Sequence, residues 1–185
     1  MKRVIGAVLL ATAFASVSTA QAPVRGAPGT AVKVAVVEFT PAAEASAMSA
    51  NSKRWLQAQL SSRLHDTRKF AVYDTRHTRE ASQSALAEIN HDSSTTAAVK
   101  LGKQLGVSLV LTGTVLQYTP KGEGGFGYTT VHTRLVDVAT GKVRYSGETV
   151  QKGTSVMYTS GEAEMHQRTM TAAIAAMVAT LVSAL

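Results

Sequence analysis

The sequence predicts an α/β fold: a single domain with a mixed β-sheet flanked by helices, in the element order β-α-β-α-α-β-β-β-α. In residues 97–115 a helical pattern stops at Gly106 and gives way to an apolar run typical of a central strand. Further along, Ala139–Lys142 has the composition of a tight turn between two strands, which indicates an antiparallel hairpin. Asp137, just before this turn, is expected to accept backbone N–H groups of the turn.

The central strand is apolar on both of its sides. We expect Val107, Leu109 and Leu111 to point to one face of the sheet, and Val110 and Val115 to point to the other. Because neither face is polar, helices are expected to cover the sheet on both sides.

The other elements follow from hydrophobic periodicity and from capping residues. In chain order we predict a strand at Val32–Phe39, a helix at Asn51–His65, a strand at Phe70–Tyr73, a helix from Asp74 or Thr75 to Ile89, the helix and strand of residues 97–115, strands at Thr129–Val138 and Val143–Gln151, and a C-terminal helix opened by a capping box of Thr159 and Glu162. The glycine-rich segment Thr119–Tyr128 is expected to be a flexible connection between two strands.

The first 22 residues have the pattern of a cleaved signal peptide. Lys2 and Arg3 precede the apolar run Val4–Val17, and the segment closes at Ala22 with the small residues that signal peptidase requires. The apolar run is shorter than the ~20 residues that span a bilayer, which favours cleavage over a retained anchor.

Residues 23–31 contain proline and glycine and are expected to form a flexible leader, followed by one folded domain at residues 32–185. The sequence has no cysteine, so it predicts neither a disulfide nor an acylated N-terminal cysteine. We therefore expect an exported periplasmic protein, cleaved near Ala22, that is not a lipoprotein.

No pattern in the sequence indicates a cofactor, a metal site or a catalytic residue. The glycines near residue 124 lie between two strands, whereas a phosphate-binding loop joins a strand to a helix. The histidines lack a ligand spacing, and no serine lies in a nucleophile elbow. A hydrolase site would have to use Glu38 or the pair His91 and Asp92, and Glu38 is more simply a strand-end carboxylate bonded to neighbouring backbone.

The net charge of +7, or +5 without Lys2 and Arg3, comes largely from the stretch Lys53–Arg79. A basic face attracts anionic lipids, glycans or acidic proteins, and the alternative is a solvated helix face. Nucleic acid is not an expected partner of an exported chain. The candidate partner-binding residues are Lys53, Arg54, Arg63, Gly124, Gly125 and Phe126.

Four stretches resemble the curli production assembly/transport component family and the related periplasmic domains that activate penicillin-binding proteins. They are Val34–Phe39, Leu60–Tyr73, Leu101–Gly113 and Arg134–Val143, and they cover most of Val32–Gln151. The resemblance implies an α/β domain that acts through protein–protein contact in a bacterial envelope, without catalysis.

Curli channel proteins insert long amphipathic hairpins, and the connections Leu116–Thr133 and Gln151–Arg168 lack a lipid-facing stripe, so no transmembrane barrel is expected. We predict a non-enzymatic, soluble periplasmic accessory protein for envelope or surface-fibre assembly that binds an envelope protein. Two alternatives are an activator of a penicillin-binding protein, that is, of a peptidoglycan synthase, and a periplasmic hydrolase with an unrecognised site. The oligomeric state stays open.

Overall fold

The structure, a computed structural model, describes residues 31–91, 94–120, 126–154 and 161–185. Within these residues it confirms the predicted class, a mixed six-stranded sheet flanked by helices. The strands are β1 (Val32–Val36), β2 (Thr40–Pro41), β3 (Phe70–Val72), β4 (Leu109–Thr119), β5 (Phe126–Asp137) and β6 (Val143–Thr154). The helices are α1 (Ala50–Asp66), α2 (Thr75–Ser82), α3 (Leu86–Asn90), α4 (Thr96–Leu105) and α5 (Glu162–Ser183). The predicted signal peptide and nearly all of the predicted leader lie outside the described residues.

The sheet has the strand order β3-β1-β4-β5-β6, with β2 as a short addition to β4. β1 pairs in parallel with both β3 and β4, and Val34 lies opposite Val72 on one side and Leu109 on the other. β4, β5 and β6 then follow one another in antiparallel pairs. Helices provide the crossovers between the parallel strands, because tight turns cannot join parallel neighbours. The predicted element order is confirmed, except that β2 is added and the helix predicted after β3 is divided into α2 and α3.

Helices cover both faces of the sheet, as the apolar central strand predicts. On one face α1 and α5 pack Leu60 and Ile174 against Leu111. On the other face α2, α3 and α4 form a smaller core that includes Leu101 and Val110. The sheet is therefore the middle layer of a three-layer domain.

The predicted sides of the central strand are wrong at two positions. Val115 packs in the same core as Leu109 and Leu111, and Val107 packs with Val110 in the other core. Alternation along β4 puts its odd-numbered residues on one face. Val107 precedes the strand, so this alternation does not apply to it.

The start of α1 and the end of α4 lie within one residue of their predicted positions, and capping residues account for both. Ser49 opens α1, and its Oγ accepts a hydrogen bond from the backbone N–H of Ser52 at 3.1 Å. Gly106 closes α4 with φ of +65°, a left-handed conformation that glycine adopts without steric cost.

The C-terminal helix packs on the sheet as predicted. α5 begins at Glu162 with Gly161 as its N-cap, whereas Thr159 of the predicted capping box lies outside the described residues. Its buried apolar face includes Met170, Ile174, Met177 and Leu181. Among the helices of the described ranges, none is both long and apolar enough to cross a membrane.

The long helix predicted after β3 is interrupted. A 3₁₀ turn at residues 83–85 separates α2 from α3. At the end of α3, the Asn90 amide donates to the Glu38 carbonyl at 2.9 Å and accepts from the Gly113 N–H at 3.0 Å. The interruption directs Asn90 towards these two distant backbone groups, a requirement that hydrophobic periodicity does not reveal.

The hairpin between β4 and β5 has longer arms than predicted. Part of the expected flexible connection Thr119–Tyr128 belongs to these strands, including Phe126 and Gly127. A Cβ atom on Gly127 would lie 2.7 Å from the Pro120 carbonyl oxygen and 3.0 Å from Thr169 Oγ1. Glycine at this position therefore permits close packing, and the prediction of a flexible segment is wrong for the described part.

The β5–β6 turn is held by Asp137, as predicted, and also by an arginine. Asp137 Oδ1 accepts from the Thr140 N–H at 2.9 Å, and Oδ2 accepts from Arg144 Nε at 2.8 Å. The hydrogen bond from the Thr140 backbone, followed by the one from Arg144, holds the pKa of Asp137 below its ordinary value.

We expect Asp137→Asn to lower the free energy of unfolding by about 2 kcal/mol at neutral pH, because it removes the carboxylate from charge-assisted bonds. The depressed pKa means that the stabilisation by Asp137 is present above about pH 4 and is lost as pH falls through the folded-state pKa. In urea unfolding across this pH range, the free energy of unfolding should fall less steeply with decreasing pH for the variant than for wild type. Equal acid dependence in the two proteins would contradict the assignment.

Candidate functional site

The six predicted partner-binding residues fall in separate places. Lys53 and Arg54 lie in the first turns of α1, and Arg63 lies about 15 Å further along the same helix. Phe126 opens β5 on the other half of the sheet, and Gly124 and Gly125 lie outside the described residues. Of the predicted residues that the structure describes, only Lys53 and Arg54 therefore lie next to each other.

Arg54 lines a cavity between α1 and α2 that has a volume of about 360 Å³. α2 contributes Arg76 and Arg79 to the same cavity, and the acidic groups of its lining are Glu38 and Glu80. We call this cavity the basic pocket. The short strand β3 between the two helices brings arginines more than 20 positions apart in the sequence into one site.

A buried glutamine holds one arginine of the basic pocket in place. Gln57 is fully buried, and its Nε2 donates to the Val36 carbonyl at 2.8 Å. Its Oε1 accepts from Arg79 Nη2 at 3.2 Å. Gln57 thus joins the end of β1, helix α1 and, through Arg79, helix α2.

Glu38 is part of this arrangement through ion pairs. Its carboxylate lies 3.5 Å from Arg79 Nε and 4.0 Å from Lys53 Nζ, and its side chain is 12% exposed. The expectation that this carboxylate bonds to neighbouring backbone is corrected, since cations from α1 and α2 approach it. These contacts hold the Glu38 carboxylate between α1 and α2.

The rim of the basic pocket is set by the start of α2. Asp74 caps this helix by accepting from the His77 N–H at 2.8 Å, and this hydrogen bond holds the pKa of Asp74 below its ordinary value. Two positions into the helix, Arg76 pairs with Glu80 at 3.0 Å, with both side chains largely exposed. An exposed pair of this kind is weak and is easily exchanged for another partner.

Arg54 is the cation of the pocket that no described group engages. Among the described residues its guanidinium forms neither a hydrogen bond nor an ion pair, and the residue is exposed. The lining of the basic pocket holds the three cations Arg54, Arg76 and Arg79 against the two carboxylates Glu38 and Glu80, an excess of one positive charge. Lys53 Nζ, outside the lining, lies 4.0 Å from the Glu38 carboxylate. The site suits a carboxylate-bearing ligand, because arginine binds carboxylates in a bidentate manner.

The other predicted residues have different surroundings. Arg63 lies in a separate, mainly apolar groove between α1 and α5, with Val178 and Val182. Phe126 packs under Lys152, whose Nζ lies 4.0 Å from the ring centroid.

The alternative catalytic pair His91 and Asp92 is described only in part. His91 follows α3 and is exposed, and Asp92 lies outside the described residues. In the part of the chain that the structure describes, no group of three or more histidine, aspartate or glutamate side chains is placed to hold a metal ion.

Gln57 is a residue of the candidate site that was not predicted from the sequence. Its position in α1 is the feature of the sequence that could have indicated its role. It lies on the buried stripe formed by residues 56, 57, 60, 61 and 64. A long amide on an apolar stripe must find hydrogen-bond partners inside the protein. The identity of those partners depends on the tertiary structure.

The fold is that of several bacterial proteins of known structure. Lipoprotein GNA1162 from Neisseria meningitidis superposes with a TM-score of 0.56 and 20% identity, covering 80% of this chain and 99% of that one. Protein CT253 from Chlamydia trachomatis superposes with a TM-score of 0.55 and 17% identity, covering 82% of this chain and 99% of that one. A single-residue variant of the PelC dodecamer from Paraburkholderia phytofirmans superposes with a TM-score of 0.52 and 17% identity, covering 80% of this chain and 90% of that one. These likenesses establish the fold.

The family follows from the sequence itself. Residues 51–150 match the model of the peptidoglycan-synthase activator LpoB, and the chain belongs to this family. No curated protein matches the sequence. The predicted resemblance to activators of penicillin-binding proteins is thereby confirmed, and an envelope protein is supported as the partner.

The prediction that the protein is not a lipoprotein is wrong, because it conflicts with the family. Membership in the LpoB family overturns it. The prediction treated the absence of cysteine from the sequence as evidence on how the protein is attached. The absence of one residue type does not carry that conclusion.

Proposed function

We propose that this protein activates a peptidoglycan synthase by binding it through the basic pocket, without a catalytic step of its own. The observation that carries the proposal is the match to the activator family over residues 51–150. That range contains α1 and α2, and with them the arginines of the basic pocket.

The charge of the pocket supports an acidic surface as its ligand. Arg54 is exposed, and the pair of Arg76 with Glu80 lies at the surface, so both arginines are accessible to a carboxylate. Arginines are enriched among the residues that dominate binding energy at interfaces. Opposite charges also accelerate association, and salt weakens that effect.

The same observations support this role over the alternatives predicted from the sequence. The family model describes an activator of peptidoglycan synthesis, which favours a synthase over a surface-fibre machinery as the partner. The ion pairs of Glu38 with Arg79 and Lys53 give this carboxylate a structural role, which disfavours a hydrolase centred on it.

The double variant Arg54→Glu/Arg76→Glu should weaken binding to the synthase at least about tenfold, because two favourable charge contacts become repulsive. Surface plasmon resonance with the purified synthase at two salt concentrations measures this effect. The wild-type affinity should fall with salt, and the affinity of the double variant should depend on salt much less.

Arg63→Glu is the matched control for charge. It lies on the same helix α1 but in the groove next to α5 rather than in the basic pocket. We expect it to bind within about twofold of wild type. If the control and the double variant weakened binding equally, the net charge of the protein and not the pocket would determine binding. If the double variant bound like wild type, the pocket would be excluded as the docking site.

A further inference from the structure

β6 forms one edge of the described sheet and has a long, exposed outer edge. It runs for 12 residues and pairs with β5 on its inner side. Among the described residues no strand pairs with its outer side. An edge strand of this length presents a row of backbone N–H and C=O groups on which another strand can add.

The two faces of β6 differ. Its odd-numbered residues face α5, where Thr149 is buried and Gly153 approaches Thr169. Its even-numbered residues are exposed on the face that lacks a covering helix among the described residues. Val150 is the most exposed large hydrophobic residue of the described chain, at 62%.

The charges on this exposed face alternate in sign every four residues. Arg144 is positive, Glu148 negative and Lys152 positive, with Val150 midway between the last two. Charges of a single sign along an edge would repel a second copy of the same strand. Alternating signs are instead compatible with a second copy of the same strand.

A two-fold axis between two antiparallel copies of β6 places one residue opposite its own copy. Each symmetric pairing is therefore defined by that central residue. Centred on Val150, the pairing puts Glu148 opposite Lys152 twice and overlaps residues 146–154. Centred on Glu148, it puts two glutamates together and Arg144 against Lys152. Like charges directly opposite each other are destabilising, and opposite charges are stabilising.

The remaining charge-matched register is less favourable. Centred on Ser146, the pairing would set Arg144 opposite Glu148, but the Arg144 guanidinium is already bonded to Asp137. Glu148, by contrast, forms no ion pair with any described residue. The charges of β6 therefore favour the register that is centred on Val150.

The side chain of Lys152 lies over two aromatic rings of β5. Its ammonium group lies 4.0 Å from the centroid of the Phe126 ring and 5.4 Å from that of Tyr128. Because β5 is on the inner side of β6, the ammonium group has to turn towards the outer edge to meet a carboxylate of a second copy.

We propose that two copies of this protein associate through β6, as antiparallel edge strands with Val150 opposite its own copy and Glu148 opposite Lys152. This surface lies on the opposite end of the sheet from β3 and is separate from the basic pocket. The two copies would form one continuous sheet, which satisfies the outer backbone groups of β6.

Cysteine cross-linking tests the register directly, because the chain has no cysteine of its own. In the full chain, Val150→Cys would place two thiols on strands whose directly opposed Cα atoms are about 4.5–5.5 Å apart, within the range of a disulfide. Ser146→Cys is the control on the same face, and its copy would lie about 26 Å away, eight residues along the strand. We expect Val150→Cys to cross-link at least about tenfold faster than Ser146→Cys.

Charge reversal provides a second, non-covalent test by sedimentation. Glu148→Lys and Lys152→Glu should each raise the dimer dissociation constant about tenfold, since two attractive pairs become repulsive. The double variant restores both pairs and should return to within about threefold of wild type. Both Lys152 variants lose the contact with Phe126, so restoration in the double variant is attributable to the interface.

A dimer of wild type, preferential cross-linking at position 150 and restoration by the double reversal would support the proposal. A wild-type chain that sediments as a monomer at every concentration would overturn it. So would equal cross-linking rates at positions 146 and 150, or a double variant that dissociates like the single ones.

Discussion

Replacing Gly113 by alanine is expected to lower the free energy of unfolding by about 3 kcal/mol. Gly113 lies in the middle of β4, where an added Cβ would be 2.5 Å from the His132 carbonyl oxygen and 2.6 Å from the Phe39 ring. The first of these atoms belongs to the backbone of the neighbouring strand β5, so the clash cannot be relieved by a side-chain rotation. The central strands would have to separate locally.

Denaturant unfolding of Gly113→Ala measures this effect, with Gly106→Ala as the control. Gly106 has φ of +65°, but a Cβ there would meet no atom within 4 Å. Its replacement therefore carries only the backbone penalty of about 1 kcal/mol. If Gly113→Ala were as stable as the control, the close approach between β4 and β5 would be wrong.

Replacing Gln57 by alanine is expected to cost about 3 kcal/mol and to weaken partner binding as well. The stability loss combines the cavity left by a fully buried side chain with the unpaired Val36 carbonyl. Binding should weaken because Arg79 loses the acceptor that fixes its guanidinium in the basic pocket. No other single change in α1 is expected to affect stability and binding together in this way.

Gln59→Ala provides the matched control, since Gln59 is the same residue type on the same helix and is only partly buried. We expect it to change the unfolding free energy by less than about 0.5 kcal/mol and to leave binding unchanged. Thermal unfolding and surface plasmon resonance on the two variants separate the outcomes. Comparable losses of stability and binding at both positions would contradict the role of Gln57 in holding Arg79.

Local sequence signals predicted the fold well. Ser49 and Gly106 end their helices through hydrogen bonds and dihedral preferences that depend on the nearest residues, so the sequence shows them directly. The apolar run of the central strand and the turn after Asp137 are equally local. Together these elements fix the order of strands and helices, and with it the class of fold.

Long-range contacts account for most of what could not be predicted. The interruption between α2 and α3 depends on Asn90 and its bonds to Glu38 and Gly113, more than 20 residues away in each case. Gly127 suggested a flexible segment, and it instead packs against Thr169 of α5. Periodicity carries no information on such partners, so the boundaries shift where these contacts act.

The candidate site was predicted only in part for the same reason. The basic stretch from Lys53 to Arg79 is visible in the sequence, but its division between the pocket and the groove near Arg63 depends on how α1 packs. Gln57 offered a signal through its place on the buried stripe of α1. The sequence does not show that its amide holds Arg79.

The central claim is that this chain raises the activity of a peptidoglycan synthase by contact. Its most direct test is the rate of glycan polymerisation and peptide cross-linking by the purified synthase as the full chain is added. We predict that turnover increases with added protein and saturates, and that Arg54→Glu/Arg76→Glu shifts the curve to higher concentrations. A synthase whose turnover stays unchanged at saturating protein would contradict the claim.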